Sequence, residues 1–286
     1  DLIHCHRGKD HWLFTIARNL FTKKTPIIRT RHVMMPAAPH FANRWLYHQQ
    51  TAHVVCVSRE VARQYQSWNL PPEKLSILLS GVDTTKFSPL TEPSYRKKLS
   101  IPQNALLIGN IGRFQRVKGQ IYFLEAAQRL CIDNPSLHFV LAGRDKGEQQ
   151  KLETFILDHH LFRKVHILNE ISDIENLISS LDIGVITSLG SEGSSRILLE
   201  MMACGKPVVA TRVGGIPELF GSCGEDFLVD PGNATDLTEK LHQIIQSPEL
   251  RLHSGNLNHQ HVLEKHTLET WLNRYEAIMK SNLNPL

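Results

Sequence analysis

Short apolar runs alternate with amphipathic segments along most of the chain, in two series. The first series predicts strands at residues 2–5, 27–30, 54–57 and 76–79, and helices at 12–23, 41–50 and 59–68. The second predicts strands at 106–111, 137–142, 165–168, 183–187 and 207–211, and helices at 120–131, 148–159, 174–180, 195–203 and 235–246. Such alternation indicates parallel sheets with helices on both faces.

A polar, proline-bearing segment at residues 88–94 separates the two series and lacks apolar periodicity, which is typical of a linker. The predicted fold class is therefore α/β, with two Rossmann-like doubly wound domains at residues 1–88 and 89–265. The total of 286 residues suits two domains of roughly 150 residues each. Apolar residues recur at helical spacing over 268–279, and we expect segment 266–286 to pack back on the N-terminal domain.

The composition indicates a globular protein with real cores, since 41% of residues are hydrophobic and the net charge is +4. This mildly basic balance suits anionic ligands or an anionic membrane surface, but it is far from a nucleic-acid-binding signature. No run approaches the roughly 20 apolar residues of a membrane span, and we expect a cytoplasmic protein without a signal peptide. Five singly spaced cysteines favour reduced thiols, and no cluster has metal-ligand spacing.

Two glutamates, Glu192 and Glu200, enclose seven residues, with the first in a Gly/Ser loop and the second in a predicted helix. A loop carboxylate can face sugar hydroxyls, and a helical one can accept two hydrogen bonds from a ribose diol. Such charge-assisted bonds are about twice as strong as neutral ones. A helix capped by Ser194 or Ser195, with ordinary exposed glutamates, also explains the spacing.

Two glycine-containing loops follow predicted strands of the second series. The first contains Gly112, Arg113 and Lys118, and the second contains Gly214 and Gly215. Ligands of open α/β sheets bind at the carboxyl ends of strands. The two cations there could neutralise a leaving diphosphate, and the glycine amides could cradle a phosphate. Solvated loop cations and a plain turn are the alternatives.

Taken in order, these motifs resemble the retaining glycosyltransferases of the GT-B fold, family 4 (group 1). The resemblance rests on Gly112-Arg113 with Lys118-Gly119, on Glu192-Gly193 with Leu199-Glu200, and on Gly205-x-Pro207 with Gly214-Gly215-x-Pro217-Glu218. It covers nearly the whole chain, because Val57-Ser58-Arg59 and residues 80–89 also match.

The resemblance assigns roles by position. Arg113 and Lys118 would bind the diphosphate, and Glu192 would contact hydroxyls of the donor sugar. His32 would lie near the sugar and the acceptor. The remaining donor-binding set comprises Glu200 at the ribose diol and Gly112, Gly193, Ser194, Gly214, Gly215 and Ile216 around the phosphates and sugar. Arg29 and Arg31 could face an anionic acceptor, although surface charges explain them equally well.

The implied reaction is sugar transfer with retention from a nucleotide-diphosphate donor to a glycan or lipid-linked acceptor of the lipopolysaccharide type. Neither a metal nor another cofactor is expected, because cations and backbone dipoles replace the metal. Basic residues at Arg18, Lys23, Lys24, Arg29 and Arg31 suit a peripheral contact with an anionic membrane, although a solvated helix face also explains the first three.

Family members usually have further α/β units, with a glycine-rich loop, before the segment that matches residue 1. The resemblance therefore implies an incomplete N-terminal domain with an exposed sheet edge. A nucleotide-sugar-binding fragment or decayed enzyme is one alternative function. A nucleotide-sugar epimerase is another.

Overall fold

The computed structural model describes residues 2–21, 25–35 and 37–283, and its first part is a parallel four-stranded sheet. The strands are β1 (Ile3–Cys5), β2 (Ile27–Arg31), β3 (His53–Cys56) and β4 (Leu75–Ile77), paired in that order. The helices are α1 (Gly8–Phe21), α2 (Phe41–Trp45), a π-helical turn (Leu46–Gln50) and α3 (Arg59–Gln66). The expectation of further strands before residue 1 stays a prediction.

The second part is a parallel six-stranded sheet with the order β10-β9-β8-β5-β6-β7. Its strands are β5 (Leu107–Ile111), β6 (His138–Ala142), β7 (Val165–Leu168), β8 (Ile183–Ile186), β9 (Val208–Thr211) and β10 (Leu228–Val229). Its helices are α4 (Tyr95–Lys98), α5 (Gln120–Asp133), α6 (Gln149–Asp158), α7 (Ile174–Ser180), α8 (Arg196–Ala203), α9 (Ile216–Phe220), α10 (Ala234–Gln246) and α11 (Pro248–Lys265). Because β6 and β8 flank β5 on opposite sides, the strand order reverses there, which is where open α/β sheets form binding crevices.

A final helix, α12 (Leu268–Leu283), covers one face of the first sheet. Trp271 and Tyr275 pack against a small apolar cluster that contains Ile28, Val55 and Leu78. Just before α12, the backbone around residue 267 forms hydrogen bonds with Val82, which lies where the chain first passes from the first sheet to the second. The Val82 amide donates to the His266 carbonyl (2.8 Å), and the Leu268 amide donates to the Val82 carbonyl (2.9 Å).

Among the described residues, the hydrophobic pattern did not predict four of the named strands and helices, namely α4, α9, α11 and β10. Helix α11 buries Ser254, Gly255, Asn258 and Val262 rather than a stripe of large apolar residues, so periodicity does not reveal it. A Cβ on Gly255 would lie 2.3 Å from the Gly205 carbonyl oxygen, so the helix and this turn are in close contact. Across the described ranges, no helix is both long and apolar enough to cross a bilayer.

Candidate active site in the cleft between the sheets

The loops after β5 and β8 meet at the point where the strand order reverses. Glu192 lies in the loop after β8 and is 4% exposed, and its carboxylate forms an ion pair with the Lys118 ammonium from the loop after β5. The Ser188 hydroxyl donates to the same carboxylate oxygen at 2.5 Å. The Thr187 hydroxyl donates to the Lys118 carbonyl at 2.9 Å. A charged pair with a buried carboxylate and a partly exposed ammonium group is therefore held at the carboxyl ends of two strands.

The glycine pair after β9 supports this loop through its backbone. Gly214 has a φ of +57°, and a Cβ there would lie 2.0 Å from the Glu192 carbonyl oxygen. The Gly215 amide donates to that carbonyl at 2.8 Å, and the Ile216 amide donates to the Val213 carbonyl at 3.1 Å. The Ile216 side chain is fully buried in the core. The expected contact of this segment with a phosphate stays a prediction.

Glu200 faces a different space from Glu192. It lies on α8 and lines a cavity of about 410 Å³ that also contains His32 and Ser80 from the first sheet's side. An Arg196 guanidinium nitrogen is 3.6 Å from its carboxylate. Burial raises the pKa of the Glu200 carboxyl, and Arg196 opposes this shift. Glu192, in the loop before α8, and Glu200, on α8 itself, thus line separate cavities.

Arg113 and Gly112 line a third cavity, of about 620 Å³, at the ends of β5, β6 and β7. Its other lining residues include Arg144 and Asn169, which sequence reasoning missed. Their position could have been predicted from the sequence, because both follow predicted strands and the carboxyl ends of parallel strands share one edge of the sheet. Gly112 also lines the small recess of Lys118 and Glu192, so it lies where these two spaces adjoin.

The N-terminal half contributes His32, which follows β2. A Cβ on Gly193 would lie 2.5 Å from the His32 carbonyl oxygen, so the two halves touch through backbone here. Beside this contact, the hydroxyls of Ser194 and Ser80 are 2.5 Å apart. Partial burial, followed by the nearby His6 ring, lowers the pKa of His32. His32, Gly193 and Ser194 are therefore brought together across the cleft.

Arg29 and Arg31 are not surface charges, since they are 2% and 7% exposed. Arg31 lies over the Tyr65 ring, 5.9 Å from its centroid, and donates to the Met35 carbonyl at 2.6 Å. The strand alternation directs both arginines into the layer between β2 and the helices. The interpretation of both as solvated charges is wrong, and a contact with an acceptor stays a prediction. Lys23 and Lys24 lie outside the described residues.

Among the residues that the structure describes, no group of three or more histidines, cysteines or acids is arranged to hold a metal ion. The cavities instead combine cations, carboxylates, hydroxyls and histidines. Such groups can bind a ligand that carries phosphate and many hydroxyls.

Comparisons with known proteins agree with this chemistry. A family model for "Glycosyl transferases group 1" matches residues 91–260, and one for "Glycosyltransferase Family 4" matches residues 1–86. A D-inositol 3-phosphate glycosyltransferase of Corynebacterium jeikeium is 26% identical, over 98% of this chain and 71% of its own length. An N-acetyl-alpha-D-glucosaminyl L-malate synthase of Bacillus anthracis is 22% identical, over 97% of this chain and 74% of its own.

Solved structures share the architecture. HepE of Anabaena in complex with UDP superposes with a TM-score of 0.88 at 23% identity, over 98% of this chain and 79% of its own. A glycosyltransferase of Rickettsia africae has a TM-score of 0.88 at 22% identity, over 100% of this chain and 78% of its own. The expected α/β fold of the GT-B type is confirmed.

Proposed function

The chain belongs to the group 1 glycosyltransferases, and from that membership we propose that it transfers a sugar from a nucleotide-diphosphate donor to a hydroxyl group, with retention of configuration. The observation that carries the proposal is the pair of Lys118 and Glu192 at the strand-order reversal, with the glycine pair packed behind it. A solved relative binds UDP, and it has also been crystallised with UDP-glucose, which supports a nucleotide-sugar donor.

The donor would extend along the carboxyl ends of the second sheet. Arg113 and Lys118 supply positive charge for the diphosphate, and Glu192 accepts hydrogen bonds from sugar hydroxyls. Glu200 has the acceptor oxygens that a ribose diol needs. Cations placed where charge develops stabilise a transition state more than the ground state, so they assist departure of the diphosphate without a metal.

Retention follows if the acceptor attacks from the side that the diphosphate leaves. A bond forms between the acceptor oxygen and the anomeric carbon while the bond from that carbon to the phosphate oxygen breaks. The acceptor proton passes to the departing phosphate oxygen. This route needs no side-chain base, which fits a site that offers cations and hydrogen-bond acceptors around the donor.

For the acceptor we propose a glycan or a lipid-linked sugar of the lipopolysaccharide type. The stacked rings of Trp271 and Tyr275 line the cavity that contains Glu200 and His32, and such aromatic faces pack well against sugar rings. The names of the two relatives described above favour small anionic acceptors instead, inositol phosphate and malate. Product analysis with both acceptor classes decides between them.

Turnover with a panel of nucleotide sugars tests the proposal directly. Lys118→Met and Glu192→Gln should each lower kcat/KM by about 10²–10³, because each removes a charged group from the transition state. Lys151→Met, at an exposed position on α6, is the matched control and should leave turnover unchanged. Equal rates in all three variants would remove the site assignment.

The alternatives give different results in the same experiment. Calorimetric binding of a nucleotide diphosphate without any turnover by the unsubstituted chain would favour a binding module. Conversion of the donor sugar without an acceptor would favour an epimerase.

Peripheral contact with an anionic membrane at the cytoplasmic face belongs to the same proposal. Helix α1 exposes Leu13, Ile16 and Leu20 on one stripe, and exposed Lys9 precedes them. An apolar stripe with a basic residue suits the surface of an anionic bilayer. Leu13→Ser should weaken cosedimentation with phosphatidylglycerol vesicles, whereas Leu252→Ser, an exposed leucine on α11, should not.

A further inference from the structure

Side chains from α12, β1 and β2 form a connected row that ends in the cleft. The Tyr275 hydroxyl is 3.0 Å from His4 Nδ1, and His4 Nε2 is 2.8 Å from the Thr30 hydroxyl. The His4 ring lies against the His6 ring, with centroids 4.1 Å apart. His6 Nδ1 is in turn 2.9 Å from His32 Nε2. His6 therefore packs on one side against the His4 ring, which Tyr275 and Thr30 hold in place, and is hydrogen-bonded to His32 on the other side.

We propose that His6 is a positioning residue, which fixes the tautomer and orientation of His32 so that His32 Nδ1 accepts a hydrogen bond from a substrate hydroxyl. The inference rests on the proposed function, because it assigns the hydroxyl to the donor sugar or the acceptor. Both histidines line the cavity that contains Glu200. A site held by a second layer of hydrogen bonds keeps its geometry better than a loop side chain alone.

The hydrogen bond determines what the opposite ring nitrogen can do. In a neutral imidazole one nitrogen donates and the other accepts, so the partner at one nitrogen sets the role of the other. Neutral histidine in water favours the hydrogen on Nε2. When His32 Nε2–H donates to His6 Nδ1, both His32 and His6 carry their hydrogen on Nε2 and so keep this preferred form. His32 Nδ1 then carries a lone pair and acts as an acceptor.

The surroundings favour the neutral form that this arrangement requires. Partial burial is the largest cause that lowers the pKa of His32, followed by His6, Arg29 and Arg31. The same histidine with both nitrogens protonated would still donate to His6, but it would lose the acceptor at Nδ1. The neutral pair is thus the form that accepts a hydroxyl.

Two variants of His6 separate the hydrogen bond from the bulk of the ring. In His6→Asn the side-chain oxygen lies close to the place of Nδ1, so it can still accept from His32. In His6→Gln the amide extends to the place of Nε2 and loses that contact. We expect kcat/KM to fall about tenfold in His6→Gln, the size expected for one hydrogen bond, and to be largely retained in His6→Asn.

Nitrogen-15 NMR of the histidine rings provides a readout that needs no turnover. His32→Gln identifies the His32 signals, and His253→Gln, at an exposed position on α11, is the control. We expect the Nε2–H tautomer of His32 in the unsubstituted protein and in His6→Asn, and a mixture in His6→Gln. An unchanged tautomer in His6→Gln would overturn the inference. Absence of turnover in the unsubstituted protein would instead refute the proposed function, and the tautomer measurement would still decide this one.

Discussion

At the scale of single residues, the space around Gly214 is decisive for the candidate site. Gly214→Ala combines a left-handed φ of +57° with a Cβ only 2.0 Å from the Glu192 carbonyl oxygen. We expect it to destabilise the protein by about 3 kcal/mol, because the Glu192 loop must move to make room. Urea unfolding measures this change.

Gly147→Ala is the matched control for that substitution. Gly147 has a φ of +97°, but nothing lies within 4 Å of its added Cβ. The control therefore reports backbone strain alone. Equal losses in the two variants would contradict the argument that close contact with Glu192 requires the glycine.

The positions of residues in the fold were predictable from sequence where the motif is local. Lys118 and Gly214 each follow a buried strand within a few residues, so their place at the carboxyl edge followed from the pattern. The burial of Arg29 and Arg31 was not predictable, because arginine is mostly exposed in proteins and the sequence does not show what covers strand β2. The contact between His6 and His32 joins residues 26 positions apart, and only the pairing of β1 with β2 brings them together.

At the scale of elements, helix α12 packs against one face of the first sheet. Trp271→Ala should lower the free energy of unfolding by about 2 kcal/mol, less than for a fully buried aromatic side chain, and increase hydrogen exchange in β2 and β3, because it removes packing from the face formed by Ile28, Val55 and Leu78. Leu272→Ala is the control, since the neighbouring side chain is 44% exposed. Similar exchange in both variants would show that α12 does not stabilise this sheet.

The packing of α12 illustrates which element properties are predictable. Apolar residues at helical spacing predicted the helix itself, and in the structure its apolar face is half-buried. The sequence pattern did not reveal α11, because this helix packs against the rest of the domain mainly through small and polar residues. Periodicity reports large apolar stripes and is silent where helices approach closely through glycine and serine.

At the scale of the whole molecule, histidines with lowered pKa values occur in both halves. Burial is the first cause in each case, and it lowers the pKa of His4 and His266 to about 4 and that of His11 to about 3. Unfolded histidines titrate near 6.5, so between about 6.5 and 4 the unfolded chain binds more protons than the folded one. Stability should therefore fall as pH falls through this window.

Urea unfolding at pH 7.5 and pH 5 measures the effect. The loss attributable to His266, which is 4% exposed, should be about 2 kcal/mol. His266→Asn places an amide near Nδ1, the atom 3.3 Å from the Ser80 carbonyl, and removes the titrating ring. The variant should lose less stability between the two pH values. An identical pH dependence would show that His266 contributes nothing to it.

The sequence by itself determined the alternation of strands and helices and the placement of the glycine-containing loops after strands, because each depends on burial and turns within a few residues. Tertiary structure decided which distant loops meet. It joined Lys118 to Glu192, directed Glu200 into a separate cavity, and completed the His4, His6 and His32 row with Tyr275 from α12. The periodicity of apolar residues indicates which face of a helix or strand is buried, whereas the strand order and the helix packing determine which other elements that face contacts.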